Sequence, residues 1–181
     1  MGKITFILGG ARSGKSSFAI NLAKKYKRVC FIATCQPKDA EMKRRIGLHK
    51  KNRPKEWQTI EEYKNIEKAI TKVDPHTQCL IIDCLTLFIS NLFLAKGKEK
   101  VIEEKIKQLL KVLKKVKARV IIVSNEVGLG VVPASKLGRD FRDIAGRVNQ
   151  IVAIQADKVV FMVSGLPLII RDSDYFSTPL E

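Results

Sequence analysis

Gly9-Gly10-Ala11-Arg12-Ser13-Gly14-Lys15-Ser16, directly after the apolar run Ile4-Thr5-Phe6-Ile7-Leu8, is the stretch on which the fold turns. A glycine, four residues and then Gly-Lys-Ser, placed between a predicted strand at 3–8 and a predicted helix at 16–25, is the context that a phosphate-binding P-loop requires. Glycines let the backbone turn tightly, so that successive N–H groups converge on phosphate oxygens while the helix N-terminus adds its positive dipole end. In such a loop Lys15 neutralises charge on the outer phosphates, and the Ser16 hydroxyl is suited to hold Mg²⁺.

Working outward, short apolar runs alternate with longer helical patterns. Further strands are predicted at 28–33, 79–83, 119–124, 158–163 and 167–170, apolar almost throughout, as strands buried on both faces of a parallel sheet are. A helix over 101–116 places Ile102, Ile106, Leu109, Leu113 and Val116 on one stripe, with lysines opposite. Another spans about 135–156, with Gly138 and Gly146 counting against parts of it. The pattern predicts an α/β fold of the RecA-like P-loop NTPase class, a mostly parallel sheet flanked by helices. The expectation is a single nucleotide-binding catalytic domain over 1–181, with an irregular tail from 171 to 181.

Composition narrows the function classes. Lys and Arg outnumber Asp and Glu 34 to 18, a formal net charge of +16. That balance raises a nucleic-acid-binding ATPase as a reading, but the lysines are spread along the chain and no aromatic residues are interleaved with them as stacking platforms. A solvated basic surface that attracts anionic nucleotides explains the charge with less. No run is long and apolar enough for a membrane span or resembles a signal peptide, so a cytoplasmic protein is expected. Cys30, Cys35, Cys79 and Cys84 fit neither a zinc pattern nor a secreted disulfide framework and read as free thiols in or near strands.

Two positions carry chemistry beyond the loop. The strand Leu80-Ile81-Ile82-Asp83 ends in a carboxylate where P-loop enzymes place one to orient magnesium or contact nucleotide. The other reading of Asp83 is an N-cap for a helix beginning near Leu85. Of the two histidines, His76 lies in a loop, and His49 ends a helix-like stretch among clustered Lys and Arg. Met42, Ile46 and His49 share a helical face, which suits a packed histidine. The surrounding cations suit a nucleophile instead, because a neutral imidazole can attack an α-phosphate that they hold. An ordinary P-loop small-molecule kinase, with His49 structural, stands as the alternative enzyme reading.

Beyond these, Ile32-Ala33-Thr34, Arg45-Ile46, His49-Lys50, Arg53-Pro54 and Trp57 form one set of matching blocks. Ser124-Asn125-Glu126-Val127-Gly128, Val132-Pro133 and Phe141-Arg142-Asp143-Ile144-Ala145-Gly146-Arg147-Val148-Asn149-Gln150 form another. With the loop, they make the chain resemble the bifunctional adenosylcobinamide kinase / adenosylcobinamide-phosphate guanylyltransferases of cobalamin biosynthesis, over most of its length. The resemblance implies phosphorylation of adenosylcobinamide by a nucleoside triphosphate, ATP or GTP. Transfer of GMP from GTP to the phosphate product would follow through a guanylyl-histidine at His49. It implies nucleotide contacts from Gly9, Gly10, Ala11, Arg12, Ser13, Gly14, Lys15 and Ser16, from Thr34, Cys35 and Gln36, from Lys50, Lys51, Asn52 and Arg53, and from Glu61 and Asp83. Cys35 stands where serine is common in the family. Asn125, Glu126, Arg142, Asp143 and Arg147 are implied near the corrinoid or at a subunit contact, and the assembly is implied to be a homotrimer.

Overall fold

Seven strands form one sheet in the computed structural model, which describes residues 2–37, 39–51 and 53–173, apart from the side chains of Arg45 and His49. In chain order the elements are β1 (Ile4–Gly9), α1 (Lys15–Ala23), β2 (Val29–Ala33), α2 (Ala40–Lys51), β3 (Gln58–Glu61), α3 (Ile66–Ile70), β4 (Cys79–Asp83), α4 (Leu85–Leu94), α5 (Glu99–Leu113), β5 (Arg119–Val123), α6 (Lys136–Gln155), β6 (Lys158–Val163) and β7 (Leu166–Asp172). The sheet order is β3-β2-β4-β5-β1-β6-β7, with every neighbouring pair parallel except the final β6–β7 hairpin. The strand ending at Asp83 is thus separated from the P-loop strand by β5, as the RecA-like class expectation requires.

The period-2 alternation of the strands sorts the core onto two faces. Ile4, Phe6 and Leu8 of β1, Leu80 and Ile82 of β4, and Val120 and Ile122 of β5 pack beneath α3 to α6. Their neighbours Ile7, Ile81, Ile121 and Val123 join Phe31, Ala19, Ile20 and Trp57 on the face covered by α1. The expected stripe of α5 is buried at Ile102, Ile106, Leu109 and Leu113, joined by Leu110. Each such side chain contributes roughly 1.5–3 kcal/mol relative to exposure. Val116 lies beyond the helix and packs partly buried against the same core.

Helix α6 keeps its full 20 residues despite Gly138 and Gly146, capped at its start by the Ser135 hydroxyl, which accepts from the Gly138 N–H at 3.1 Å. Strand β3 and helix α3 were not legible beforehand. Gln-Thr-Ile-Glu lacks an apolar run because β3 is an exposed edge, and α3 has only five residues. All four cysteines are free thiols, three of them buried, in accord with the sequence reading. Among the described residues no helix is long and apolar enough to cross a membrane.

The expectation of an irregular tail from Arg171 is corrected, since β7 runs through Asp172. Two contacts extend the hairpin. The Lys158 ammonium pairs with the Asp172 carboxylate at 2.6 Å. The Arg171 guanidinium donates to the carbonyls of Ala153 at 2.8 Å, and of Ile154 and Ala156 at 3.2 Å, capping the orphan acceptors at the C-terminus of α6. The segment 174–181 lies outside the described residues. Replacing Arg171 with Ala is expected to fray the last turn of α6 and to lower unfolding stability by about 1 kcal/mol, measured by urea denaturation together with amide exchange at 153–156.

Candidate active site

The P-loop closes between β1 and α1 under close steric constraint. A side chain at Gly9 would meet the Met162 carbonyl at 2.6 Å and the Ser13 Oγ at 2.7 Å. Gly14, the N-cap of α1, holds φ at 93°, a left-handed conformation that costs glycine nothing. The β6–β7 turn braces the loop from outside, its Gly165 N–H donating to the Ser13 carbonyl at 3.1 Å. Lys15 is buried, its ammonium donating to the Gly10 carbonyl at 2.5 Å and lying 3.4 Å from Ser13 Oγ. Burial pushes this ammonium below the ordinary lysine value, while nearby Cys84 and Asp83 act to raise it. Ala11 and Arg12 are exposed at the loop crest, and Ser16 is half-buried in the first turn of α1.

Parallel strands bring the other expected residues to the same carboxyl edge, where ligands of open α/β sheets bind. Asp83 ends β4, and it bears electrostatically on both Lys15 and Arg53. Its alternative reading as a helix cap is removed, because the N-cap of α4 is Cys84. Thr34 is wholly buried, and its hydroxyl donates to the Cys84 carbonyl at 2.7 Å while accepting from the Cys84 N–H at 2.8 Å. The Thr34 N–H donates to the Asp83 carbonyl at 3.2 Å, and its own carbonyl accepts from Asn91 Nδ2 at 2.9 Å. Thr34 therefore ties the ends of β2, β4 and α4 together, and Cys35 and Gln36 beyond it come nearer the surface.

Glu61, at the end of β3, accepts from Lys50 Nζ at 2.5 Å and from the Tyr63 hydroxyl at 2.9 Å. These bonds hold its carboxyl below the usual glutamate range, the Lys50 bond most. Tyr63 is pushed up to about 12 by burial and then by its bond to Glu61. Because Lys50 belongs to the last turn of α2, this pair anchors the helix end that carries His49 to the carboxyl edge. Arg53 lies over Phe31, its guanidinium carbon 3.6 Å from the ring centroid. Its Nε and Nη1 are buried without a hydrogen-bond partner among the described residues. Burial lowers the Arg53 guanidinium from its ordinary value, opposed by Asp83 and Glu61. Lys51 is exposed at the end of α2. The His49 side chain and Asn52 lie outside the described residues.

A closed ring of hydrogen bonds fixes the next strand end. The Asn125 N–H donates to Thr86 Oγ1 at 2.6 Å, Thr86 Oγ1 meets Ser124 Oγ at 3.0 Å, Ser124 donates to Asn149 Oδ1 at 2.8 Å, and Asn149 Nδ2 returns to the Asn125 carbonyl at 3.2 Å. The following Glu126 N–H donates to the Gly9 carbonyl at 2.9 Å, so Asn125 and Glu126 lie beside the P-loop. Arg142, Asp143 and Arg147 stand apart on α6, with Arg142 bonded to Asp143 at 3.4 Å and Arg147 ion-paired to Glu99 at the start of α5. The sequence reading missed Tyr63, Thr86 and Asn91. Only pairing across strand ends marks them, and a linear pattern does not contain that information.

The glycine loop, the buried lysine and the carboxylate one strand removed define a P-loop nucleotide-binding α/β protein. The chain belongs to the cobinamide kinase / cobinamide phosphate guanyltransferase family, whose pattern it matches over residues 5–170. It is 43% identical over 163 residues to the bifunctional adenosylcobalamin biosynthesis protein CobP of Pseudomonas aeruginosa, covering 90% of this chain and 94% of that one. It is 39% identical over 177 residues to the bifunctional adenosylcobalamin biosynthesis protein CobU of Salmonella typhimurium, covering 91% and 98%.

Two measurements follow from this geometry. Thr34→Val keeps the shape but strands the Cys84 N–H in the core, while the Cys84 carbonyl keeps the Phe88 N–H, and is expected to cost about 1–3 kcal/mol in urea unfolding. Glu61 contributes stability that is present above its unfolded-state pKa and lost as the pH falls through its depressed folded value. The stability gap between the native protein and Glu61→Gln, followed by denaturation from neutral pH downward, should therefore shrink through that range.

Proposed function

We propose that the chain phosphorylates adenosylcobinamide and then guanylylates the product, giving adenosylcobinamide-GDP, with His49 as the covalent carrier. One observation carries this reading: a P-loop lysine, a carboxylate and the histidine-bearing end of α2 are all fixed at one sheet edge, the last by the 2.5 Å Lys50–Glu61 pair.

In the kinase step the substrate hydroxyl oxygen attacks the γ-phosphorus, the β–γ bridging P–O bond breaks, the nucleoside diphosphate departs, and the hydroxyl proton passes to solvent water. The loop N–H groups and Lys15 stabilise charge spreading over the transferred phosphoryl oxygens. In the second reaction an imidazole nitrogen of His49 attacks the α-phosphorus of GTP, forming a P–N bond while the α–β bridging bond breaks and pyrophosphate leaves. The substrate's phosphate oxygen then attacks that phosphorus, the P–N bond breaks, and a diphosphate is left joining the corrinoid arm to guanosine. A neutral nucleophile eases a displacement that would otherwise bring two anions together.

Arg53, with two buried donors lacking partners among the described residues, suits the α-phosphate side of the nucleotide. Ser16 and Asp83 offer the hard oxygen donors that Mg²⁺ takes alongside phosphate oxygens and water, and among the described residues no cluster of three His, Cys, Asp or Glu side chains could hold a metal alone. Bound there, the ion would neutralise phosphate charge. Either ATP or GTP suits the loop as phosphoryl donor. Exposed Leu166, Leu168 and Ile170 on β7 and Leu129, Val131 and Val132 in the loop before α6 support association of this chain with further copies, for which the family resemblance implies a homotrimer, and the nucleotide substrates support a cytoplasmic setting.

The test is incubation with α-labelled GTP and Mg²⁺, denaturation, and assay for acid-labile, alkali-resistant label. The label should be absent in His49→Ala and reduced at least about a hundredfold in Lys15→Ala. A native protein that never labels would remove the guanylyltransferase half.

A further inference from the structure

At the sheet edge opposite the P-loop, an open basin of about 490 Å³ lies beneath the start of β4. Lys3, Lys117 and Arg119 line it with Tyr26 and Gln78, and among the described residues no carboxylate does. A side chain at Gly2 would run into the carbonyl oxygens of Val116 and Ala118, so this glycine lets the N-terminal segment lie against the turn before β5, bringing Lys3 beside Lys117. Burial raises the Cys79 thiol to about 12 while Lys25 and Arg119 pull it down, so both cations bear on the first residue of β4. Among the described residues the side chains of Lys117 and Arg119 make no ion pair.

Helix dipoles explain only part of this charge. Lys24 and Lys114 stand at the C-caps of α1 and α5, where cations offset the carbonyl ends. Lys3, Lys117 and Arg119 lie beyond those ends, on connecting or strand backbone that is itself held in place. The Arg119 N–H donates to the Gln78 carbonyl at 2.9 Å, the Val120 N–H to the Lys3 carbonyl at 3.0 Å, and the Lys27 N–H to Gln78 Oε1 at 2.9 Å. A concave wall of one sign focuses potential on an anion that enters it. Its one aromatic side chain, Tyr26, is half-buried and already carries Lys25 over its ring at 5.4 Å, which suits a small ligand better than a strand of nucleic acid needing exposed stacking faces.

We propose that this basin is a second anion site, separate from the nucleotide site, and that it takes a small polyphosphate, free or as the phosphate tail of a nucleotide. Isothermal titration with inorganic triphosphate tests it. The native protein should bind one equivalent in the P-loop and another in the basin. Lys15→Ala should retain the basin equivalent, and Lys117→Gln/Arg119→Gln the P-loop one, with basin affinity falling by about tenfold or more and weakening with salt. Unchanged circular dichroism in the double variant would show that the fold is kept. A parallel titration with GTP distinguishes a free polyphosphate from a nucleotide tail. Loss of all binding in Lys15→Ala would overturn the proposal. So would a basin equivalent indifferent to Lys117 and Arg119, or tight duplex binding abolished by the same pair without any triphosphate site.

Discussion

The dense negative charge of a triphosphate is the constraint around which this molecule is arranged. Neutralising it needs donors that converge from several directions and need not reorganise when the anion arrives. Parallel strands supply that convergence, because the loops following β1, β2, β3, β4 and β5 all emerge at one edge. The glycine turn then brings backbone N–H groups and Lys15 to a common focus, and the neighbouring β6–β7 turn packs so closely that a side chain at Gly14 would come within 3.2 Å of Gly165.

Holding that edge in register requires polar side chains in the interior, which are tolerated only when every group finds a partner. Two constructions meet the requirement. Thr34 fastens the end of β2 to the β4–α4 junction, and the ring through Thr86, Ser124 and Asn149 fastens the end of β5 to α4 and α6. Neither is needed for burial of apolar surface, since both core faces are continuous without them. They position the backbone beside Asp83 and Gly9, and so link packing to the chemistry of the site.

Positive charge is distributed with equal economy over the two edges. At the carboxyl edge, cations are met by carboxylates, as Lys50 is by Glu61, or are held against an aromatic ring, as Arg53 is on Phe31. At the amino edge, among the described residues, Lys117 and Arg119 make no ion pair. Part of the surplus of +16 therefore lies away from the P-loop, in the lining of the basin.

By itself the sequence determined the P-loop, the parallel β-rich core and the amphipathic α5, because each is a local signal: a fixed spacing, a run of apolar residues or a 3.6-residue period. The family resemblance also lay in contiguous blocks. The tertiary structure decided what depends on pairing across distance. It engaged Thr34 with Cys84, 50 residues on, gave Glu61 both Lys50 and Tyr63, and made Arg171 the cap of α6 rather than the start of a tail. A hydrogen bond between strand ends depends on sheet order, and sheet order is set by how the whole core packs, so no window of sequence contains it.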